Sequence, residues 1–438
     1  MSMLRMRMWW MSVWLCLFPF SGFASDTLTI ISPHRKSIQD ELIPRFEKAY
    51  ATKYKTPIHV EWIDQGGAEN DVRFIRARAG KGPIGVDVFF GGGELSFDEL
   101  QEEGLLVPYT LSESLRQQIP AMLSGTRLQN PGWVASALSA FGIFYNKQIL
   151  ALRKLAAPLV WRDLGHPAYL DQVSMADPRR SSSFLMMDLI ILEAEGWKKG
   201  WETLTLLAAN AKQFTQSSSD PIKAVVSGEV ASAIAVDFYA MAKINLLGEK
   251  NLGFVLPIGQ TLFNSDPVAI LKGTPHQVQA ERFIEYILSP EAQLVLLLKK
   301  GDPQGPTFAA LERMAVNPEA YQLAGSRSLV INPFVTPAPT FSFDMKKNRM
   351  RKSILSDLIG VLHVDMHTEL NQAWKQLLAT KPSPTPEDIA SLSELPVTEA
   401  ELDALVKDWD KPLFRNQKLN EWTEFARKKY ASFDKRGS

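Results

Sequence analysis

Cysteine is all but missing. The 438-residue chain has one, Cys16, inside an apolar stretch near its start. From residue 17 onward there is no disulfide and no zinc–thiolate site to build on. Stability has to come from buried apolar surface, which a chain of this length supplies. An excess of one charge is missing as well: Lys+Arg and Asp+Glu both total 48. That balance argues against a nucleic-acid binder, which carries a basic excess or a basic face. Enzyme signatures are also lacking. There is no Gly-x-Ser-x-Gly elbow, no P-loop and no His-Glu-x-x-His. Without a nucleophile–base pair or a metal set, the chain does not read as an enzyme, and no cofactor is expected. After residue 24 no apolar run is long enough to span a bilayer.

The first residues form a pattern of their own. Arg5 and Arg7 precede the apolar run Met8 to Phe20, and Gly22 and Ala24 stand at −3 and −1 of a cut after Ala24. This is the layout of a secretory signal peptide. Residues 1–24 are therefore expected to be removed and the remainder to reach the periplasm. Leu15 before Cys16 is not the small residue that a lipoprotein signal uses, so lipidation is not expected.

Beyond it, strand-like and helix-like stretches alternate. Leu28 to Ile31 reads as a strand, Ser32-Pro33-His34 as a loop, and Ser37 with Asp40 as the capping box of a helix with Ile38, Leu42, Ile43, Phe46 and Tyr50 on one face. Ile58 to Ile63 and Val86 to Phe90 repeat the strand pattern. The second leads through Gly91 to Gly93 into a helix with Ser96 and Glu99 as its box. Such alternation gives an α/β fold with a mostly parallel sheet, and ligands sit at the carboxyl ends of its strands. A second α/β stretch starts at Phe141. After Phe341 the pattern becomes all-helical, with Lys381 to Pro386 as a proline-rich hinge.

Candidate binding residues cluster at strand ends. Arg180 with Ser181, Ser182 and Ser183 opens an apolar helix, offering free N–H groups, hydroxyls and a guanidinium to an anion; a plain serine N-cap is the competing explanation. Ser32 and His34 lie on the first loop, where an exposed turn histidine is the alternative. Gly92 and Gly93 allow backbone approach, and Glu94 follows them. Asp237 and Tyr239 close an apolar strand, and Ser218 sits among three serines. His363 and His367, four apart, suit packed histidines better than a metal site. The basic cluster Lys346, Lys347, Arg349, Arg351 and Lys352 suits a solvated helix start, with a partner or lipid contact as the alternative.

Seven short stretches, in order, resemble the ABC-transporter extracellular solute-binding proteins of the class that includes ferric-ion, phosphosugar, phosphoglycerate and phosphonate receptors. They are Ile31-Ser-Pro-His34, Val86-Asp-Val-Phe-Phe90, Phe141 to Lys147, Ala176-Asp-Pro178 with the serines, Val226-Ser-Gly-Glu229, Asp237-Phe-Tyr239 and Ser289 to Gln293. The resemblance implies a two-lobed periplasmic-binding-protein fold (type 2) with a C-terminal all-helical extension. Lobe 1 would comprise 25–140 plus 258–343, lobe 2 141–257, and the extension 344–438, with crossings near Ala140 to Asn146 and Leu252 to Pro257.

The resemblance also bears on the ligand. Ferric binders carry adjacent tyrosines where this chain has Phe238-Tyr239, which leaves His34, Glu94 and Tyr239 as the only iron ligands on offer. A small anionic, phosphorylated organic solute fits the retained serines and Arg180 better than free iron. The implied role is a monomeric receptor that docks on an ABC permease, with ligand presentation to a sensor kinase as a second role and an exported hydrolase as the remote third.

Overall fold

Leu28, Ile30 and Ile31 are fully buried, and so are Val88 and Phe89 of the neighbouring apolar strand. Continuous apolar strands of this kind suit a sheet covered on both faces. The computed structural model describes residues 25–335 and 341–434; the signal-peptide assignment and Cys16 lie outside them. Strand Asp26–Ile31 pairs in parallel with Ile58–Ile63 on one side and Val88–Phe90 on the other. Helices Lys36–Tyr54, Ala68–Ala79 and Glu94–Glu102 follow these strands in turn. Strand Phe263–Leu271 joins the sheet antiparallel, beside Val88–Phe90.

One strand links everything. Trp133–Asn146 pairs with Phe263–Leu271 as far as Ala140, which faces Phe263. From Phe141 onward its partners are Ser232–Val236 and Leu252–Val255, which belong to the second sheet. The change of partner falls between two consecutive residues, so the first lobe crossing is a single uninterrupted strand. The chain returns through residues 256–262, after strand Leu252–Val255 has paired in the second sheet and before Phe263 pairs in the first. Val173–Ala176 and Ala211–Thr215 complete the second sheet in parallel.

Both expected capping boxes give way to other contacts. The first helix starts at Lys36 with Arg35 as its N-cap, and Asp40 bonds the Lys36 ammonium at 2.5 Å instead of a backbone N–H. The third starts at Glu94 after Gly93, which leaves Ser96 and Glu99 inside the helix. Glu99 is then free to take basic partners. Asp237 to Tyr239 end no strand: they open the helix Asp237–Leu247.

The helical extension packs on lobe 2. Ile354, Leu355, Leu358, Leu362, Leu370, Trp374 and Leu377 share one apolar core with Phe141, Met175, Leu189 and Trp201. The first-lobe core is separate and ends with Tyr321 and Ala324. His363 and His367 are packing residues: the first lies 3.1 Å from the Thr205 hydroxyl and the second 2.9 Å from the Ala211 carbonyl. Burial pushes His363 down to about 3, so it stays neutral. Trp374, 1% exposed, donates to Asn210 at 2.8 Å. Trp374→Ala should therefore destabilise lobe 2 by about 3–5 kcal/mol through cavity formation, read as a lower urea midpoint. An unchanged midpoint would mean that the extension is no part of that core.

Candidate functional site

The two sheets leave a cavity of about 340 Å³ between the lobes. Six helix starts line it, those of Lys36–Tyr54, Ala68–Ala79, Glu94–Glu102, Ser182–Glu195, Asp220–Val226 and Asp237–Leu247. The caps Arg35, Gly67 and Gly93 make no side-chain capping bond, so the first-turn N–H groups of these helices have no side-chain acceptor from their own cap. Free first-turn N–H groups favour negative charge. Ser181 does cap its helix, accepting from Phe184 N at 3.3 Å.

Of the residues singled out in sequence, His34, Gly92, Gly93, Arg180, Ser181, Ser182, Ser183, Ser218 and Tyr239 all line this cavity. Ser32 and Asp237 do not. Ser32 is fully buried and accepts the His34 N–H at 3.2 Å, so it shapes the loop from behind. Asp237 accepts the N–H of Ala140, on the crossing strand, and burial pushes it up to about 7 against that bond.

The cavity floor is organised by Asp266. This residue sits where the ladder of its strand slips, between Asp266 and Pro267. Such a bulge re-aims a side chain. The carboxylate receives His34 Nε2 at 2.7 Å, the Gly92 N–H at 3.1 Å and the Arg313 guanidinium. Burial alone would raise its pKa; the Arg313 charge, with His34, overrides this and holds it well below the ordinary carboxylate range. Burial lowers the pKa of His34 despite Asp266. The glycines make this contact possible. A Cβ on Gly91, whose φ is +87°, would stand 2.5 Å from the His34 ring.

Among the cavity residues that sequence reasoning did not assign to the site are Arg35, Asp266, Arg313 and Lys352. Arg35 had a readable signal, as it adjoins His34 at a helix start. The other three come from distant segments. Arg313 lies 4.8 Å from the Phe238 ring centroid and Arg35 4.6 Å from that of Tyr239. Two first-lobe guanidinium groups thus meet two adjacent second-lobe rings, a favourable cation–π pairing. Arg180 bonds Gln216 at 3.4 Å. Among the described residues neither Arg35 nor Arg180 has a carboxylate at ion-pair distance; the Glu312 charge offsets part of that of Arg35 from further away. Burial pulls the Arg35 pKa down.

The possible iron ligands are committed elsewhere. Glu94 pairs with Arg127 Nε at 2.6 Å, and burial still pushes it up to about 7. His34 faces Asp266, and Tyr239 faces Arg35. No three His, Cys, Asp or Glu side chains among the described residues gather to hold a metal.

A family model for bacterial extracellular solute-binding proteins matches residues 85–322. The chain belongs to that family. It is 27% identical to the phosphoglycerate transport regulatory protein PgtC of Salmonella typhimurium over 343 residues, 77% of this chain and 80% of the relative. The periplasmic binding protein AfuA of Actinobacillus pleuropneumoniae, solved with fructose-6-phosphate bound, aligns with a TM-score of 0.60 at 20% identity, over 80% of this chain and 98% of that one. The apo ferric ion-binding protein A of Pasteurella haemolytica aligns with a TM-score of 0.57 at 19% identity, over 76% of this chain and 98% of that one. The two-lobed fold with a helical C-terminal region is that of periplasmic binding proteins, and the family is one of binders.

Asp266→Ala would leave the buried Arg313 without its counter-ion and His34 without its partner. A loss of about 3–5 kcal/mol in denaturant unfolding at neutral pH is expected, since a lone buried charge is costly. Because the folded-state pKa of Asp266 is depressed, its contribution is present above the unfolded carboxylate value of about 3.9. It fades as pH falls below that value, so the gap between wild type and variant should narrow in acid. A variant as stable as wild type at neutral pH would remove Asp266 from this role.

Proposed function

We propose that this chain is the receptor of an ABC importer and captures a small anionic, phosphorylated organic solute between its lobes. One observation carries the proposal: two cavity arginines without ion-pair partners, Arg180 on lobe 2 and Arg35 on lobe 1, face a site bordered by helix N-termini. A phosphate accepts both N–H groups and guanidinium forks. Arg180, Ser182 and Ser183 hold the phosphoryl group, with Ser218 beside them. Arg35 contributes a first-lobe cation, and His34, Gly92, Gly93 and Tyr239 contact the rest of the solute. A ligand touching both lobes favours the closed form, and closure is a hinge motion about the crossing strands. No bond is made or broken. The receptor works as a monomer in the periplasm.

The relative's name as a transport regulatory protein favours a second role, presentation of the bound solute to a membrane sensor kinase. The two roles separate in a deletion strain whose importer is expressed from a constitutive promoter. Restored phosphoglycerate uptake would assign the chain to signalling, and abolished uptake to import.

Calorimetry of the purified protein with 3-phosphoglycerate, fructose 6-phosphate and ferric citrate tests the ligand class. Binding of a phosphorylated compound is expected. Arg180→Gln or the double change Ser182→Ala/Ser183→Ala should weaken it about ten- to a hundred-fold, the scale of one or two charge-assisted hydrogen bonds. Tight ferric binding with no response to phosphorylated compounds would overturn the proposal.

A further inference from the structure

The basic run at the start of the extension divides by helix face. In helix Met345–Ile359, Lys347 and Arg351 stand four apart and turn inward to their own lobe and the extension. Lys347 reaches Glu193 and Glu399; Arg351 pairs with Glu399 at 2.6 Å and with Asp403. Arg349 and Lys352, three apart, share a different face. They reach across to lobe 1. Arg349 lies 2.5 Å from Glu102 and 3.6 Å from Asp98; Lys352 lies 2.9 Å from Glu99 and 3.5 Å from Glu69. These four carboxylates belong to helices Ala68–Ala79 and Glu94–Glu102 of the first lobe. The helix that delivers the two cations is fixed to the second lobe by Ile354, Leu355 and Leu358.

We propose that this helix is an ionic clasp between the lobes, in which Arg349 and Lys352 hold the acidic face of lobe 1 and bias the ligand-free receptor toward closure. Two features raise the pairs above ordinary surface contacts. The cations are largely buried, with side-chain exposures of 15% for Arg349 and 12% for Lys352, as are Asp98 and Glu99, so water screens these pairs less than an exposed pair, while Glu102, 64% exposed, leaves the clasp open to salt at its edge. The carboxylates are also shared. Glu99 binds Arg76 at 2.8 Å, and Asp98 binds Arg127 and, at 3.0 Å, the Trp133 indole. The clasp thus continues into a network fixed within lobe 1.

Lys352 also lines the ligand cavity, whereas Arg349 lies outside its lining. The clasp therefore borders the site directly, and the extension acts on capture without belonging to either parental lobe in sequence. By favouring the closed form, it raises the fraction of receptor competent to retain solute. The inference builds on the proposed capture between lobes, but its test needs no ligand, so either can fail alone.

The test is an interlobe distance measured by pulsed electron paramagnetic resonance. Spin labels go on Lys81→Cys and Lys199→Cys in a Cys16→Ser background; both lysines are exposed, one on each lobe. Ligand-free wild type should show one short distance at low salt and a shift to longer, broader distances at about 1 M salt, where screening reaches about 3 Å. Lys352→Gln and Arg349→Glu should each produce the long distances at low salt. The charge swap Arg349→Glu/Glu102→Arg should restore the short one, which also guards against a variant that merely misfolds. A distance that ignores salt and is unchanged in Lys352→Gln would overturn the clasp, whatever the solute proves to be.

Discussion

Asp266 is a carboxylate withdrawn from water and kept charged, and much of the cavity depends on how that charge is balanced. It binds His34 from the first strand–helix loop, Arg313 from the segment between helices Pro290–Leu297 and Pro318–Ala324, and the N–H of Gly92 from the third strand's end. Three remote pieces of chain therefore converge on one group. The convergence needs a bulge to turn the side chain inward and a glycine at position 91 to admit the imidazole. A fixed arrangement of this kind presents helix starts in constant register, which is what a preorganised binding surface requires.

The aromatic pair Phe238-Tyr239 shows how one change redirects a site. Its rings receive the Arg313 and Arg35 guanidinium groups rather than a metal. A cation at each ring disfavours a hard metal ion there and favours an anion nearby. The pairing also bridges the lobes, because the arginines and the rings lie on opposite sides. Anion preference and interlobe contact thus share the same side chains.

The parallel strands of lobe 1 were legible in the sequence because buried parallel strands read as short apolar runs; the antiparallel strand Phe263–Leu271, which carries Asp266, and the first half of Trp133–Asn146 were not read. The order of the loop motifs then located the cavity: His34, Gly92, Arg180 to Ser183 and Tyr239 do meet there. Local spacing misled at the helix starts. Ser37 with Asp40 and Ser96 with Glu99 have box spacing, yet each helix begins earlier, at Lys36 and Glu94. Asp266, Arg313 and Lys352 were illegible for a different reason. Their roles arise from partners far along the chain, and no local pattern records them. Asp237 was misplaced because strand Ser232–Val236 runs into helix Asp237–Leu247 with no loop residue between them to mark the boundary.

The packing of the C-terminal extension on lobe 2 carries a cost in time. The core of lobe 2 gathers residues from Phe141 to Phe433, so it lacks its last layer until nearly the whole chain is available. Contacts of such long sequence separation form slowly. Lobe 1, whose core ends near Ala324, can be complete while the apolar face that awaits Leu358 and Trp374 is still bare. A chain cut short within its final quarter would keep one finished lobe beside one exposed core, which is a substrate for proteases and a seed for aggregation.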